Sequence, residues 1–325
     1  MRSVKTVFMA ALATTLLAGT ALAQDYPTKP VTVVVPFAAG GPTDTVARLV
    51  AQSMSKTLGQ QVLIENVGGA GGTLGAARVA KSPNDGYTLL LHHIGHATAV
   101  ALYRKLPYNA LTDFQTIGLI TDVPMTIVAK ADLPPKTMAE LIDYVKANKD
   151  KVSLANAGIG SASHLCGMML MSALQTQATT VAYTGTGPAM NNLLGGQVDL
   201  MCDQTTNTTG QIKGGKIKAY SVTTLTKVPS LPDLPTADSA GLKGFEVAVW
   251  HGLYAPKGTA EPIVNKLNAA LKVALKDPTV VQRFADLGTE PVPEAKIDPK
   301  AHEAFVKAEV DKWSPVIKAA GEYAD

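Results

Sequence analysis

Aromatic residues make up only 5% of this 325-residue chain, cysteines number two, and neither sign of charge prevails: 29 lysines and arginines stand against 26 acids, a net +3. Near neutrality, with no basic cluster and no basic residues interleaved with aromatics, excludes an electrostatic nucleic-acid binder. Beyond the N-terminus no apolar run reaches the roughly 20 residues that span a bilayer. Neither Cys166 nor Cys202 has a C-x-x-C partner and no histidine stands at finger spacing, which argues against zinc. Gly69-x-Gly71-x-x-Leu74 lacks the third glycine of a dinucleotide fingerprint, and there is no Walker loop. Around Ser161 and Ser163 no glycine follows where a G-x-S-x-G nucleophile elbow needs one. Ser161, Ser163 and His164 are near-adjacent residues that rarely converge, and no acid is placed beside them. With no catalytic acid–base pair, the chain is expected not to be an enzyme and to need no cofactor or metal.

What is present begins with an export signal. Arg2 and Lys5 precede an apolar run from Val7 to Leu17, and Ala21-Leu22-Ala23 supplies the small residues of a cleavage site. This predicts a Sec signal peptide over residues 1–23, cleaved before Gln24, and a periplasmic mature protein. Removing it leaves 27 basic against 26 acidic residues, close to neutral. In an oxidising compartment Cys166 and Cys202 are either one disulfide or two buried thiols that never meet. A mature length of about 300 residues suggests two lobes.

From Val31 onward short β-branched runs alternate with helical periodicity, the mark of βα units. Strands are predicted at Val31–Val35, Val62–Glu65 and Tyr87–His92, then as two separate runs at Phe114–Ile120 and Met125–Ala129. The pattern restarts at Thr137-x-x-Glu140, a capping box that opens a helix. Strands at Val152–Ala155, Thr179–Ala182, Asp199–Cys202 and Ala219–Val222 follow, then two runs at Phe245–Trp250 and Leu253–Ala255, and three closing helices. The fold class is therefore α/β with two lobes, 24–125 plus 250–325 and 126–249, joined by hinge strands.

In open parallel sheets ligands sit beyond the carboxyl ends of the strands, at helix N-termini. Pro36–Asp44 is one such turn. Gly40 and Gly41 allow positive φ and close backbone approach, and free N–H groups with the helix dipole favour an anion. Thr43 adds a hydroxyl, Phe37 and Ala39 complete the loop, and Asp44 reads as a helix cap. Ala157–His164 repeats the design in the second lobe, with Ser161, Ser163 and His164 as candidates. Thr184, in Tyr183–Pro188, and Asp203, after the Asp199–Cys202 strand, are further candidate contacts. Asp203 would accept from a ligand amine, hydroxyl or water. Two anion-binding turns in separate lobes imply a ligand with a polar end in each, such as an aliphatic or aromatic dicarboxylate. His92-His93-Ile94-Gly95-His96 is read as a strand-end loop with one imidazole toward the cleft and the others solvated. Trp250-His251 is read as hinge packing.

At these loops the chain resembles the Bug-type, or TctC-type, extracytoplasmic solute receptors of tripartite tricarboxylate transporters. The resemblance runs over the whole mature chain. It rests on Tyr26-Pro27-x-Lys29-Pro30, Val35-Pro36-Phe37-x-x-Gly40-Gly41-x-x-Asp44, Ser82-Pro83-x-Asp85-Gly86-Tyr87, Gly160-Ser161-x-Ser163-His164-Leu165 and Tyr183-x-Gly185-x-Gly187-Pro188-Ala189. Leu194-Gly195-Gly196-Gln197-Val198-Asp199 and Gly252-Leu253-x-Ala255-Pro256 complete it. It implies a Venus-flytrap (type II-like) periplasmic binding protein, monomeric, that delivers a small carboxylate to membrane permease subunits. The Phe37–Asp44 and Gly158–His164 loops would grip opposite ends of the ligand, partly through water. No arginine is placed at either loop, since Arg48 and Arg78 fall within helices, so recognition would rest on N–H groups, hydroxyls and water. Presentation of the loaded form to a sensor kinase is a second role the same surfaces would serve, and a periplasmic enzyme of carboxylate metabolism is a third reading.

Overall fold

The structure, a computed structural model, describes residues 26–320 and 324; the expected signal peptide over 1–23 lies outside them. The first lobe opens with β1 (Val31–Val35), a β-branched strand stopped by Pro36. Helix α1 (Pro42–Leu58) starts with proline at its first position, where no hydrogen bond is lost. It ends at Gly59, whose φ of 69° only glycine adopts freely. β2 (Val62–Asn66), α2 (Thr73–Ala80), β3 (Thr88–His93) and α3 (Gly95–Leu102) follow. β1 pairs in parallel with β2 and β3, as βα connections require.

β4 (Phe114–Lys130) is one strand, not the two runs predicted with a break at Thr121–Pro124. Its first part pairs with β9 (Ala248–Pro256) up to Pro124↔Ala248, and from Met125 it pairs with β7 (Leu200–Gln204) and β8 (Ile217–Val222). Pro124 thus falls at the change of partner, where a missing N–H interrupts neither ladder. Register shifts at Thr116/Gly118 and Leu119/Thr121 turn the strand on the way. β9 likewise runs through the predicted gap between Trp250 and Leu253. Gly252, which weakens the strand pattern, leaves room where a Cβ would run into the His302 ring.

The second lobe contains α4 (Met138–Ala147), β5 (Ser153–Asn156), α5 (Ala162–Leu174), β6 (Thr179–Ala182), α6 (Thr186–Leu194) and α7 (Thr205–Lys213). Thr137 caps α4 as predicted, its hydroxyl accepting from the Glu140 N–H at 3.2 Å. β5 pairs in parallel with β6 and β7. The chain then returns through β9 to α8 (Glu261–Ala274), α9 (Pro278–Asp286) and α10 (Pro299–Ala320). The sheet order is β2-β1-β3-β9-β4-β7-β5-β6, with β8 also on β4. The chain is a two-lobed α/β protein in which the long antiparallel pair β4–β9 joins the halves. Threonines pin this junction: the Thr121 hydroxyl lies 2.6 Å from that of Thr289, which donates to the Asp122 carbonyl at 3.0 Å. Cys166 on α5 and Cys202 on β7 form a disulfide with Cα atoms 6.0 Å apart. No helix among the described residues is long and apolar enough to cross a membrane.

Two short helices escape the hydrophobic pattern. α3 is apolar all round and opens on glycine, so it shows no amphipathic stripe. α7 is rich in threonine, and the hydroxyls of Thr205, Thr208 and Thr209 are bonded inside the protein, to the Gly288 carbonyl (3.2 Å), Thr126 (2.9 Å) and the Leu287 carbonyl (3.2 Å). α3 also corrects the reading of the histidine cluster: His92, His93 and His96 are all buried and none is solvated.

Candidate functional site

The turns after β1, β5, β6 and β7 meet where the two lobes close on each other. Phe37, Gly41, Pro42, Thr43 and His93 from the first lobe face Ala157, Ser161, Ala162, Ser163, Thr186, Asp203 and Gln204 from the second, around a small cavity of about 10 Å³. Four helices begin here. Gly41 is the N-cap of α1, Ser161 of α5 and Gln204 of α7, while Thr186 is the first residue of α6. Each helix start carries roughly half a positive charge with unpaired N–H groups. No lysine or arginine lines the cavity, and Asp203 is its only carboxylate. Such an arrangement can attract an anion through converging dipoles and hydroxyls.

Asp44 is not the N-cap. It is the third residue of α1 and reaches back to accept the Gly40 N–H at 3.0 Å, as well as Arg48 Nε at 2.9 Å and Asn66 Nδ2 at 2.9 Å. Burial pushes its carboxyl up, but the hydrogen bonds from Arg48, Gly40 and Asn66 outweigh this and leave it below the usual range. The Gly40 donor is therefore already used. Gly40 has the expected positive φ of 79°, but Gly41 has φ −85° and needs no glycine-specific backbone.

In the second lobe the Ser161 hydroxyl accepts from the His164 N–H (3.2 Å) and lies 3.1 Å from that of Ser163, which accepts from the Ala157 N–H (2.9 Å). Asp203 is fully buried. Its Oδ2 accepts from Asn207 Nδ2 at 2.6 Å, while its Oδ1 has no hydrogen-bond partner of normal geometry among the described residues. Burial pushes this carboxyl up to about 6, against hydrogen bonds from Asn207, the Gln204 N–H and the Thr186 hydroxyl.

Of the residues predicted from sequence, Phe37, Gly41, Thr43, Ser161, Ser163 and Asp203 share this cavity, whereas Ala39, Gly40, His164 and Thr184 are not on its wall. Ala39, Gly40 and Thr184 are exposed at the cleft rim. His164 turns instead to a larger groove along α5, with Met168 and Met171, that belongs to one lobe only. In place of Thr184 the turn contributes Thr186. The Thr184 carbonyl accepts the Ala38 N–H across the cleft at 3.0 Å.

That bond is part of a backbone-to-backbone seam. A Cβ on Gly68 would lie 2.8 Å from the Thr184 carbonyl oxygen, and one on Gly187 would lie 2.9 Å from that of Ala39. The Tyr103 hydroxyl lies 2.7 Å from both the Ala70 carbonyl in the first lobe and the Ile159 carbonyl in the second. Sequence reasoning missed Tyr103 and Gln204, and it expected one imidazole of the His92–His96 cluster toward the cleft without choosing His93. No local motif marks Tyr103, because it bonds carbonyls tens of positions away.

Two α/β lobes on hinge strands, closed over a small cavity ringed by helix N-termini, define a solute-binding receptor. The chain belongs to the tripartite tricarboxylate transporter family receptors, the TctC or Bug proteins, whose family model matches residues 46–322. It is 58% identical over 317 residues to the UPF0065 protein of the TAR-I ttuE-ttuC' intergenic region of Agrobacterium vitis, covering 97% of this chain and 92% of that one. Its structure is similar to that of the periplasmic binding protein BugD, with a TM-score of 0.90 at 56% identity over 92% of this chain and 100% of that one. It is also similar to MatC from Rhodopseudomonas palustris, solved with bound malate, with a TM-score of 0.87 at 46% identity over 90% and 100%. BugD is a periplasmic binding protein and MatC was solved with a carboxylate, malate.

Proposed function

We propose that this protein is a Sec-exported periplasmic receptor that closes its two lobes, 24–125 plus 250–325 and 126–249, on a small dicarboxylate and hands it to the permease of a tripartite transporter. The observation that carries the reading is the convergence of the α1, α5, α6 and α7 N-termini, from both lobes, on one cavity without a fixed cation. Opposed helix starts attract a negative group at each end of a ligand. The cavity between the closed lobes, about 10 Å³, has room for about one water, so a ligand enters an opened form. Malate in the similar MatC supports the dicarboxylate class. Asp203 then reads the substituent between the carboxylates, accepting from a hydroxyl or an ammonium.

Closure is the functional step, and Gly187 tests it. This residue is in the first turn of α6, where alanine is compatible with the helix, but a Cβ would meet the Ala39 carbonyl and the Gly40 and Gly41 backbone at 2.9–3.0 Å. Gly187→Ala is expected to keep the melting temperature of the free protein and to weaken succinate or malate binding at least about 10-fold. Small-angle scattering should show the wild type contracting on ligand and the variant not. Unchanged affinity and contraction in Gly187→Ala would contradict closure over this seam.

A further inference from the structure

His93 is the last residue of β3, paired with His251 on β9. Its ring stacks on Phe37 at 4.6 Å and meets His92 and His251 edge-on at 5.0 and 5.9 Å. Only 3% of the residue is exposed, yet it forms part of the wall opposite Ser161, Ser163 and Asp203. The decisive contact is at Nδ1. The Gly95 N–H, at the start of α3, donates to His93 Nδ1 at 2.9 Å. A backbone amide is always a donor, so Nδ1 must be the unprotonated nitrogen, and the proton of the neutral ring is fixed on Nε2. Burial, with the His251 and His96 rings nearby, holds the imidazole well below its ordinary pKa and so neutral.

The first lobe brings two side chains with a donor hydrogen to the cavity, Thr43 and His93. The Thr43 hydroxyl is 3.4 Å from His251 Nε2 and so has a neighbour in the protein to satisfy. His92, equally buried, has its Nδ1 engaged by the His93 N–H (2.8 Å), but it faces Gly72 and is not on the wall.

We infer that His93 is a ligand-contacting, specificity-determining residue whose Nε2–H donates to the carboxylate held at the α1 end of the cavity. This rests on the carboxylate-receptor reading above. A rigid imidazole stacked on Phe37 pays little ordering entropy to hold that donor in place. A neutral N–H also serves an anion without the desolvation cost of a buried cation. It gives the site a directional side-chain donor where sequence offers no arginine.

Three variants separate the donor from the ring. His93→Phe keeps a flat ring against Phe37 and removes both nitrogens. His93→Gln places an amide near the position of Nε2, and His93→Asn places one near Nδ1. The mature protein and each variant are titrated calorimetrically with succinate, malate and adipate, and the tightest of these acids is used for comparison. The expected result is a loss of about 10- to 100-fold in affinity for Phe and Asn, and less than about 5-fold for Gln. In the wild type, the ¹⁵N resonances of His93 should show the Nε2–H tautomer without ligand and a shift of Nε2 on saturation. Wild-type affinity in a folded His93→Phe, or an Nε2 resonance unmoved by ligand, overturns the assignment. Should His93→Phe not fold, the resonance alone decides. Failure of the wild type to bind any of the three acids counts instead against the carboxylate reading itself.

Discussion

Asp203 brings a carboxyl into a cavity that the reading fills with a second and a third, and its buried position resolves the conflict. With its pKa pushed up to about 6 by burial, it gains a proton as pH falls through 6 and then no longer repels a dianion. The wild type should therefore bind succinate more tightly at pH 5.5 than at 7.5. Asp203→Asn should lose that dependence while binding succinate at pH 7.5 no worse than wild type. The same variant should lose about 10-fold or more toward aspartate, whose ammonium needs the charge. Calorimetry on both proteins at the two pH values checks this, and the difference between them removes the ligand's own ionisation. Parallel pH profiles for wild type and variant would take Asp203 out of the site.

At the scale of elements, the loops are placed by their helices and the helices by few ties. The disulfide joins Cys166 on α5, three residues after Ser163, to Cys202 on β7 immediately before Asp203, so it links two of the wall-bearing segments. It closes a loop with a sequence separation of 36, worth about 4 kcal/mol in unfolded-chain entropy. Replacing both cysteines by alanine should lower the melting temperature by about 8 °C or more and leave binding at 20 °C largely intact. A melting temperature within a degree or two of wild type would show that the bond contributes nothing. Much at this scale was legible in sequence. The β-branched Val31–Val35, the glycine turn and the proline at the start of α1 are local signals, and so is the Ser161 cap of α5. What was hidden depends on distant partners. β4 read as two strands because its burial changes partner at Pro124, and α7 shows no apolar stripe because its face toward the protein is made of threonines, of which Thr205, Thr208 and Thr209 bond to Gly288, Thr126 and Leu287. Phe37, Gly41, Thr43, Ser161, Ser163 and Asp203 stood out as turn residues near helix starts, whereas His93 shows its tautomer only once Gly95 folds back onto it.

For the whole molecule, the six histidines matter together, since all are buried. His92, His93, His96, His251 and His302 form one network of contacting rings with Tyr108, Phe114 and Tyr254. No group of three or more His, Cys, Asp or Glu among the described residues has the geometry to hold a metal. Burial holds His96 down to about 4 and His251 and His302 to about 3, with His92 and His93 also well below the ordinary value. Because these pKa values are depressed in the folded state, the folded chain binds fewer protons than the unfolded one. Stability is full above about 6.5 and falls as pH drops below it, by about 1.4 kcal/mol per pH unit for each imidazole until its folded pKa is reached. Five such groups together lose up to about 14 kcal/mol over two pH units, as large as a stability of roughly 5–15 kcal/mol. Circular dichroism should show cooperative acid unfolding between about pH 4 and 5.5. A chain still folded at pH 3 would mean that the imidazoles reach solvent.

The central claim is that converging helix N-termini, with no fixed cation, hold a small dicarboxylate. It is tested most directly by calorimetric titration of the mature protein with succinate, malate, aspartate and adipate, against glucose and zinc as controls. The account predicts one-to-one binding of at least one diacid with a dissociation constant of about 10 µM or tighter, and no binding of the sugar or the metal. Binding of glucose or zinc with none of the acids would contradict it.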